Sequence, residues 1–256
     1  MDPEMPTGPH QDGPSTMPSN SSGWWETERA ALLRPRITSE VEPGAAIVDV
    51  GCGRGDMLRS DHFDDYFCVG VDSFVWAEWK GAGGQHFVCA HADALPFRDG
   101  AFDVVGSFDV LEHIHDDQRA MAEQARIVSP IGSVVTAVPA DPRLWSQHDE
   151  SVGHLRRYTT ATATDLIESA GLTVSRATNF YSFLWLPARL LRRSKARTAE
   201  SVESDSVANK VATRLVRIVA RAERAFLRRR SLPFGSSLLI ESRVREPSAP
   251  SPFHRR

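Results

Sequence analysis

Cysteine is scarce in this chain. The three that occur, Cys52, Cys68 and Cys89, are odd in number and widely spaced. They exclude a disulfide framework and offer no zinc-ligand spacing, so a reducing cytoplasm is the expected location. Long apolar runs are missing too: none approaches the ~18 residues that a membrane-crossing helix needs. The first twenty residues, MDPEMPTGPHQDGPSTMPSN, hold neither a basic stretch nor an apolar one, so no secretory signal is expected. There is no internal repeat. No recognised nucleic-acid module is present, and nucleic acid is not expected as a partner.

What is there suffices for a folded domain. Of 256 residues, 41% are hydrophobic and 25% charged, which is ordinary globular composition. The two ends differ. Residues 1–23 carry five prolines, three glycines and four serines and almost no large apolar side chain; residues 246–256 read the same way. Both are expected to be disordered tails, because they cannot bury enough surface to offset ordering entropy. Residues 24–245 are expected to form one domain. The net charge of -3 hides an asymmetry: residues 186–230 hold 13 Arg or Lys against 4 Asp or Glu, a local +9 that leaves -12 elsewhere.

Short apolar runs at Ala45–Val50, Phe67–Val71, Phe87–Ala90, Asp103–Val110 and Ser133–Val138 predict strands. Helices are expected from Asp116 or Asp117 to Ile127, where Pro130 follows, and from a Thr160 cap to Ser169, where Gly171 follows. Leu172–Ala177 and Leu238–Val244 read as late strands. The alternation indicates βαβ units and a mainly parallel sheet, an α/β fold.

Ile47-Val48-Asp49-Val50-Gly51-Cys52-Gly53-Arg54-Gly55 sets a glycine cluster directly after the first strand. Such glycines permit positive φ and close backbone approach to a ligand, and a following helix would aim its N–H groups at that ligand. Asp72 ends the second strand, where a carboxylate can accept two ribose hydroxyls. The spacing is G-x-G-x-G and not the G-x-G-x-x-G of dinucleotide enzymes. Asp49 suits a ligand amino group and would repel a pyrophosphate.

With these residues the chain resembles the class I S-adenosylmethionine-dependent methyltransferases. The glycine loop resembles that family's first motif, and Gly70-Val71-Asp72 its second-strand motif. Ala92-Asp93-Ala94-Leu95-Pro96-Phe97 resembles its adenine loop. Phe102-Asp103-Val104-Val105, with Asp109-Val110-Leu111-Glu112-His113-Ile114, resembles its fourth strand and exit. Glu123 and Arg126–Gly132 resemble the turn before the fifth strand, although Ser129 and Ile131 stand where the family usually has Lys and Gly. The resemblance covers about residues 40–180. It implies a Rossmann-like, doubly wound seven-stranded sheet, mostly parallel with an antiparallel last strand. It implies S-adenosylmethionine as cofactor, held by Asp49 and the Gly51 and Gly53 backbone at the methionine end. Asp72 would hold the ribose, and Asp93 and the Ala94 N–H the adenine. Phe108 and Asp109 would lie near the reactive end.

The acceptor side is read from two segments. Asp109, Glu112 and His113 have a spacing that resembles a metal-assisted O-methyltransferase group; the reading adopted is that Glu112 orients the next loop, His113 lines the substrate site, and no metal is bound. Trp145–Tyr158 is dense in His, Arg, Trp and Tyr. His154 or His148 could serve as a base near neutral pH. Arg156, Arg157 and Tyr158 could contact the acceptor, or bond the loop to itself. Trp25, in a helix expected to lid the pocket, could shield the reaction from water. The expected activity is methyl transfer to a small molecule, at oxygen. A silent cofactor-binding partner protein and an NAD-dependent oxidoreductase are the alternatives. Between the sixth and seventh strands, at about 180–232, an insertion is expected. Its 207–230 helix sets Arg214, Arg217, Arg221, Arg224 and Arg228 beside Val211, Leu215, Ile218, Val219 and Phe226. That arrangement suits peripheral contact with the inner membrane face, or an anionic or lipid-linked acceptor.

Overall fold

The computed structural model describes residues 24–80, 84–193 and 207–245; the two expected tails lie outside them. Seven strands form one sheet: β1 (Ala46–Val50), β2 (Phe67–Asp72), β3 (His86–Cys89), β4 (Phe102–Phe108), β5 (Val128–Pro139), β6 (Leu172–Phe180) and β7 (Ser237–Val244). Their spatial order is β3-β2-β1-β4-β5-β7-β6. β7 runs antiparallel to both its neighbours, and the rest run together. The expected α/β architecture with an antiparallel last strand is therefore present. One consequence matters for the site. The carboxyl ends of β1, β2, β4, β5 and β6 share an edge, the edge on which such sheets bind ligands.

Side chains alternate across the sheet with period two. Val48, Val50 and Val105 join one core with Met121 and Ile127 of α2 (Asp117–Ile127) and Ile167 of α4 (Thr160–Ser169). Ile47, Val104 and Phe108 join another with Leu33 and Ile37 of α1 (Trp24–Thr38), Phe180, and Leu227 of α6 (Val207–Leu227). Both faces of the central strands are thus covered, which is why those strands read as continuous apolar runs.

α2 is capped by Asp116, whose side chain accepts the Arg119 N–H. The cap of α4 is Thr159, one residue before the expected Thr160, because Thr159 and Thr162 bond reciprocally as a capping box. Gly171 follows with φ +87°, as a helix end requires. The expected helix after the glycine loop is absent. Residues 51–60 form successive turns, followed by a short 3-10 segment at Asp61–Phe63. The insertion consists of α5 (Ser182–Arg193) and α6.

Candidate functional site

Among the described residues, three that are not glycine have φ near +56°: Asp109, Asp141 and Tyr181. Each follows the carboxyl end of a strand, β4, β5 or β6. A left-handed backbone costs about 1–3 kcal/mol at a residue with a side chain and persists only where its surroundings fix it. Each of these is fixed. Asp109 forms an ion pair at 2.7 Å with Arg29 of α1. Asp141 pairs with Arg143 and accepts the Trp185 indole N–H at 2.8 Å from α5. The Tyr181 N–H donates to Glu223 of α6 at 2.8 Å. The sheet edge is therefore roofed by α1, α5 and α6 through specific polar ties.

At the β1–β2 end, the glycine loop bends under backbone control. Gly51, Gly53 and Gly55 have φ of +77°, +54° and +86°. The Gly51 and Cys52 N–H groups donate to Val71 O at 2.7 and 2.9 Å. A Cβ on Gly51 would sit 2.1 Å from Val110, whereas one on Gly53 would meet open space. The open side of the loop is the side a ligand can approach. Asp72 accepts the Gly53 N–H at 2.9 Å on one oxygen and the Phe74 N–H at 3.0 Å on the other. Each carboxylate oxygen has two lone pairs, so two acceptor positions remain. Trp79 roofs the loop, with its indole N–H on Gly53 O at 2.9 Å and its ring stacked on Phe87.

Asp49 is 4% exposed. Burial and the nearby Asp72 charge push its carboxyl up to about 7, against the pull of Arg29. A carboxyl so placed gains from any cationic group delivered to it. Burial likewise pushes the Cys52 thiol upward, so it is no nucleophile at neutral pH.

Asp93 lies in a loop clamped from α2. Glu123 accepts the Leu95 N–H, Arg126 donates to Leu95 O and Phe97 O, and Arg119 donates to Asp93 O. The Ala94 N–H, expected at an adenine ring nitrogen, instead donates to His91 O at 3.0 Å. The turn closes on itself through that bond. Phe108 is buried in the α1 core.

The β4–β5 end is organised by side chains. The loop after β5 is pinned at its base: the Tyr158 N–H donates to Pro139 O and the Asp141 N–H to Tyr158 O, both at 2.9 Å. Inside the loop, α3 (Gln147–Ser151) presents Asp149, fully buried. Asp149 accepts from His154 Nδ1 at 2.9 Å, Arg157 Nε at 2.7 Å, and Ser146 N and Oγ at 2.8 and 3.0 Å. Burial would raise this carboxyl, but the Arg157 and His154 bonds outweigh it and hold it at about 2. A carboxylate only accepts, so Nδ1 of His154 carries the proton and Nε2 is left as the acceptor nitrogen. Nε2 faces Glu112 Oε1 at 3.8 Å. Glu112 is fully buried, and neither of its oxygens has a hydrogen-bond partner. Burial and the Asp109 charge push its pKa well up. His113 stacks edge-on against His154 at 4.8 Å and donates from Nδ1 to Gly153 O. Burial and His154 lower its pKa. Donor atoms of Glu112, His113 and His154 lie within 4.8 Å of one another and could converge on a small cation.

Other expected contact residues are engaged elsewhere. Arg156 pairs with Asp117 at 2.6 Å and bonds His115 O; the Tyr158 hydroxyl donates to Asp117 at 2.7 Å; Arg157 bonds Ala140 O besides Asp149. All three tie the loop to α2 and β5. His148 is exposed on α3. The side chain of Trp25 lies outside the described residues. Sequence reasoning did not single out Asp149, although the Ser146-x-x-Asp149 capping pattern was available. Arg29 and Glu223 gave no sequence signal.

Residues 48–136 match a family model described as a methyltransferase domain. Among curated proteins, the chain is 29% identical over 128 residues to the 27-O-demethylrifamycin SV methyltransferase of Amycolatopsis mediterranei, covering 43% of this chain and 47% of that protein. It is 34% identical over 112 residues to the probable tRNA methyltransferase 9B of Homo sapiens, covering 41% and 24%. The chain thus spans between a quarter and half the length of these relatives. Among solved structures, the YcgJ protein of Bacillus subtilis superposes with a TM-score of 0.56 at 15% identity, covering 86% of this chain and 100% of that one.

Proposed function

We infer the reaction of a chain that belongs to the class I S-adenosylmethionine-dependent methyltransferases: transfer of a methyl group to a hydroxyl oxygen of a small molecule. S-adenosylmethionine supplies the methyl group on a sulfonium. The observation that carries the reading is the buried Asp149–His154–Glu112 line beside Asp109. The acceptors of the other half would fit the cofactor. Asp49 takes its amino group, the two remaining acceptor positions of Asp72 take the ribose hydroxyls, and Asp93 takes the adenine amino group.

Little is asked of the protein beyond alignment, since a sulfonium methyl is already activated. A hydroxyl acceptor must also lose its proton. Nε2 of His154 would take that proton, and the Asp149 carboxylate on Nδ1 would stabilise the imidazolium that results. Asp149 fixes the tautomer as well as the orientation of the ring. His113, exposed at the mouth, lines the acceptor approach. An alcohol or phenol hydroxyl, weakly nucleophilic until it loses its proton, gains from a positioned base, which is why oxygen is favoured. A small molecule is favoured over tRNA because the Arg156 and Arg157 guanidinium groups are held by Asp117 and Asp149 and so are not offered to phosphates.

The test is methyl-labelled cofactor incubated with the full chain, a small-molecule extract and a separate tRNA pool. Label is expected in a low-mass methyl ether and not in tRNA. Label in tRNA alone would overturn the acceptor class.

A further inference from the structure

α6 has three faces. Ala220 and Leu227 are buried against the domain. Arg214, Arg217 and Arg221 occupy an adjoining exposed strip, which Arg228 continues in the turn after the helix. On the third face Leu215, Ile218, Val219 and Phe226 are 58%, 54%, 44% and 49% exposed. Their spacing of i, i+3, i+4 and i+11 is that of one helical stripe. α5 adds Leu186 and Leu190, one turn apart and more than half exposed. Isolated exposed apolar residues mean little, but a stripe of them along one helix marks an interaction surface. No helix among the described residues is long and apolar enough to cross a membrane.

We propose that this face of α6 docks on an anionic lipid surface, with its leucine, isoleucine, valine and phenylalanine side chains at the headgroup boundary and its arginine strip among the lipid phosphates. Charge complementarity selects this occupant. The only acidic residue in α6 is Glu223, and it is turned inward, accepting the N–H groups of Tyr181 and Ser182. The outward surface is therefore cationic and apolar with no negative charge, the composition that binds acidic leaflets. A second copy would bring two arginine strips together, and a nucleic acid would have no use for the apolar stripe.

The helix is tied to the candidate site. Arg221 and Arg224 pair with Glu28 of α1, at 3.3 and 2.7 Å. Glu28 is 6% exposed, and the next residue, Arg29, holds Asp109. Docking α6 would therefore hold the rim of the carboxyl edge beside the bilayer. This placement does not depend on which atom is methylated.

The experiment is sedimentation of the full chain with vesicles of phosphatidylcholine alone and of phosphatidylcholine with phosphatidylglycerol, at low and high salt. Binding is expected only to the anionic vesicles, falling at least tenfold at high salt because headgroup attraction is screened. Replacing Arg214, Arg217 and Arg228 with Gln should lower it roughly a hundredfold, since these three make no ion pair among the described residues. Leu215→Ser with Ile218→Ser should weaken it as well. Both sets are exposed, so circular dichroism should show unchanged folding. A chain that stays in the supernatant at low salt overturns the proposal. So does binding that survives both variants, or a dimer in sedimentation velocity that the Leu215/Ile218 variant splits.

Discussion

The two ends of the sheet's carboxyl edge are built in different ways. Beside β1 and β2 the backbone does the shaping: three glycines at positive φ, two N–H groups on Val71 O, and a carboxylate on Gly53 N. Polar side chains there keep acceptor positions open. Beside β4 and β5 the side chains do the shaping. Asp149 holds His154 and Arg157, Asp117 holds Arg156 and Tyr158, and Nε2 of His154 and the Glu112 carboxyl are left facing each other. One end keeps acceptor positions open; at the other, most polar side chains are taken up by one another. The contrast predicts that substitutions at the first end change affinity, while those at the second change turnover or stability.

The largest effect is expected at the second end. His154→Ala should lower turnover by about a hundred- to ten-thousandfold, the range for losing a positioned base. Cofactor affinity by calorimetry should stay within about twofold, since His154 belongs to the other end. Equal losses in both would erase the contrast. A chelator should leave turnover unchanged; a loss restored by added divalent cation would hand Glu112, His113 and His154 to a metal.

Asp149→Ala should act on stability first. It leaves Arg157, whose side chain is 8% exposed, without its buried partner, a change that costs about 3–5 kcal/mol. Urea denaturation of variant and wild type reads this directly. The same carboxyl sets an acid limit. Its pKa is lowered to about 2 in the folded chain, below the ordinary value, so its contribution is complete above about pH 4 and fades as pH falls toward 2. The wild type should lose stability in that window, and Asp149→Asn should not show this component.

Asp72→Ala should do the reverse, weakening cofactor binding by about 1.5–3 kcal/mol, the scale for hydrogen bonds to a charged group, with a much smaller effect on turnover at saturation. A variant that binds normally would place the ribose elsewhere.

The same contrast explains what was legible in the sequence. The strand–glycine–strand–Asp72 order is local, and each residue type there answers a backbone demand, so all seven strands could be read from the chain. The helix after the loop could not, since Gly55 is followed by turns that pack Leu58 and Phe63 into the α1 core. Nor could the acceptor end. His154 and His148 look alike in a string of polar residues; only the fold buries one on Asp149 and leaves the other in solvent. Arg156, Arg157 and Tyr158 looked equally ready for a substrate. Their partners Asp117 and Ala140 are supplied by α2 and the tip of β5, and no local pattern in the sequence announces that pairing. The Ala94 N–H is a related case: the motif gives the residue, while the His91 carbonyl that takes its N–H depends on how the turn closes.

The smallest effect tests the first end alone. Folding holds the Asp49 carboxyl at about 7, above its ordinary value of 3.8. Between about pH 4 and pH 7 the folded chain therefore keeps a proton that the unfolded chain has lost, and stability contributed by this group declines as pH rises through that window. Binding should run the opposite way. An ammonium group at Asp49 favours the ionised carboxylate, so the ligand must expel the proton below pH 7 and need not above it. Cofactor affinity should rise with pH by up to about tenfold per unit, or about 1.4 kcal/mol, and level off above 7. Calorimetry in buffers of different ionisation enthalpy should register the released proton. Asp49→Asn should bind more weakly and with no such slope. A wild-type affinity that is flat from pH 5 to 7 would mean that the amino group of the ligand is held by something other than Asp49.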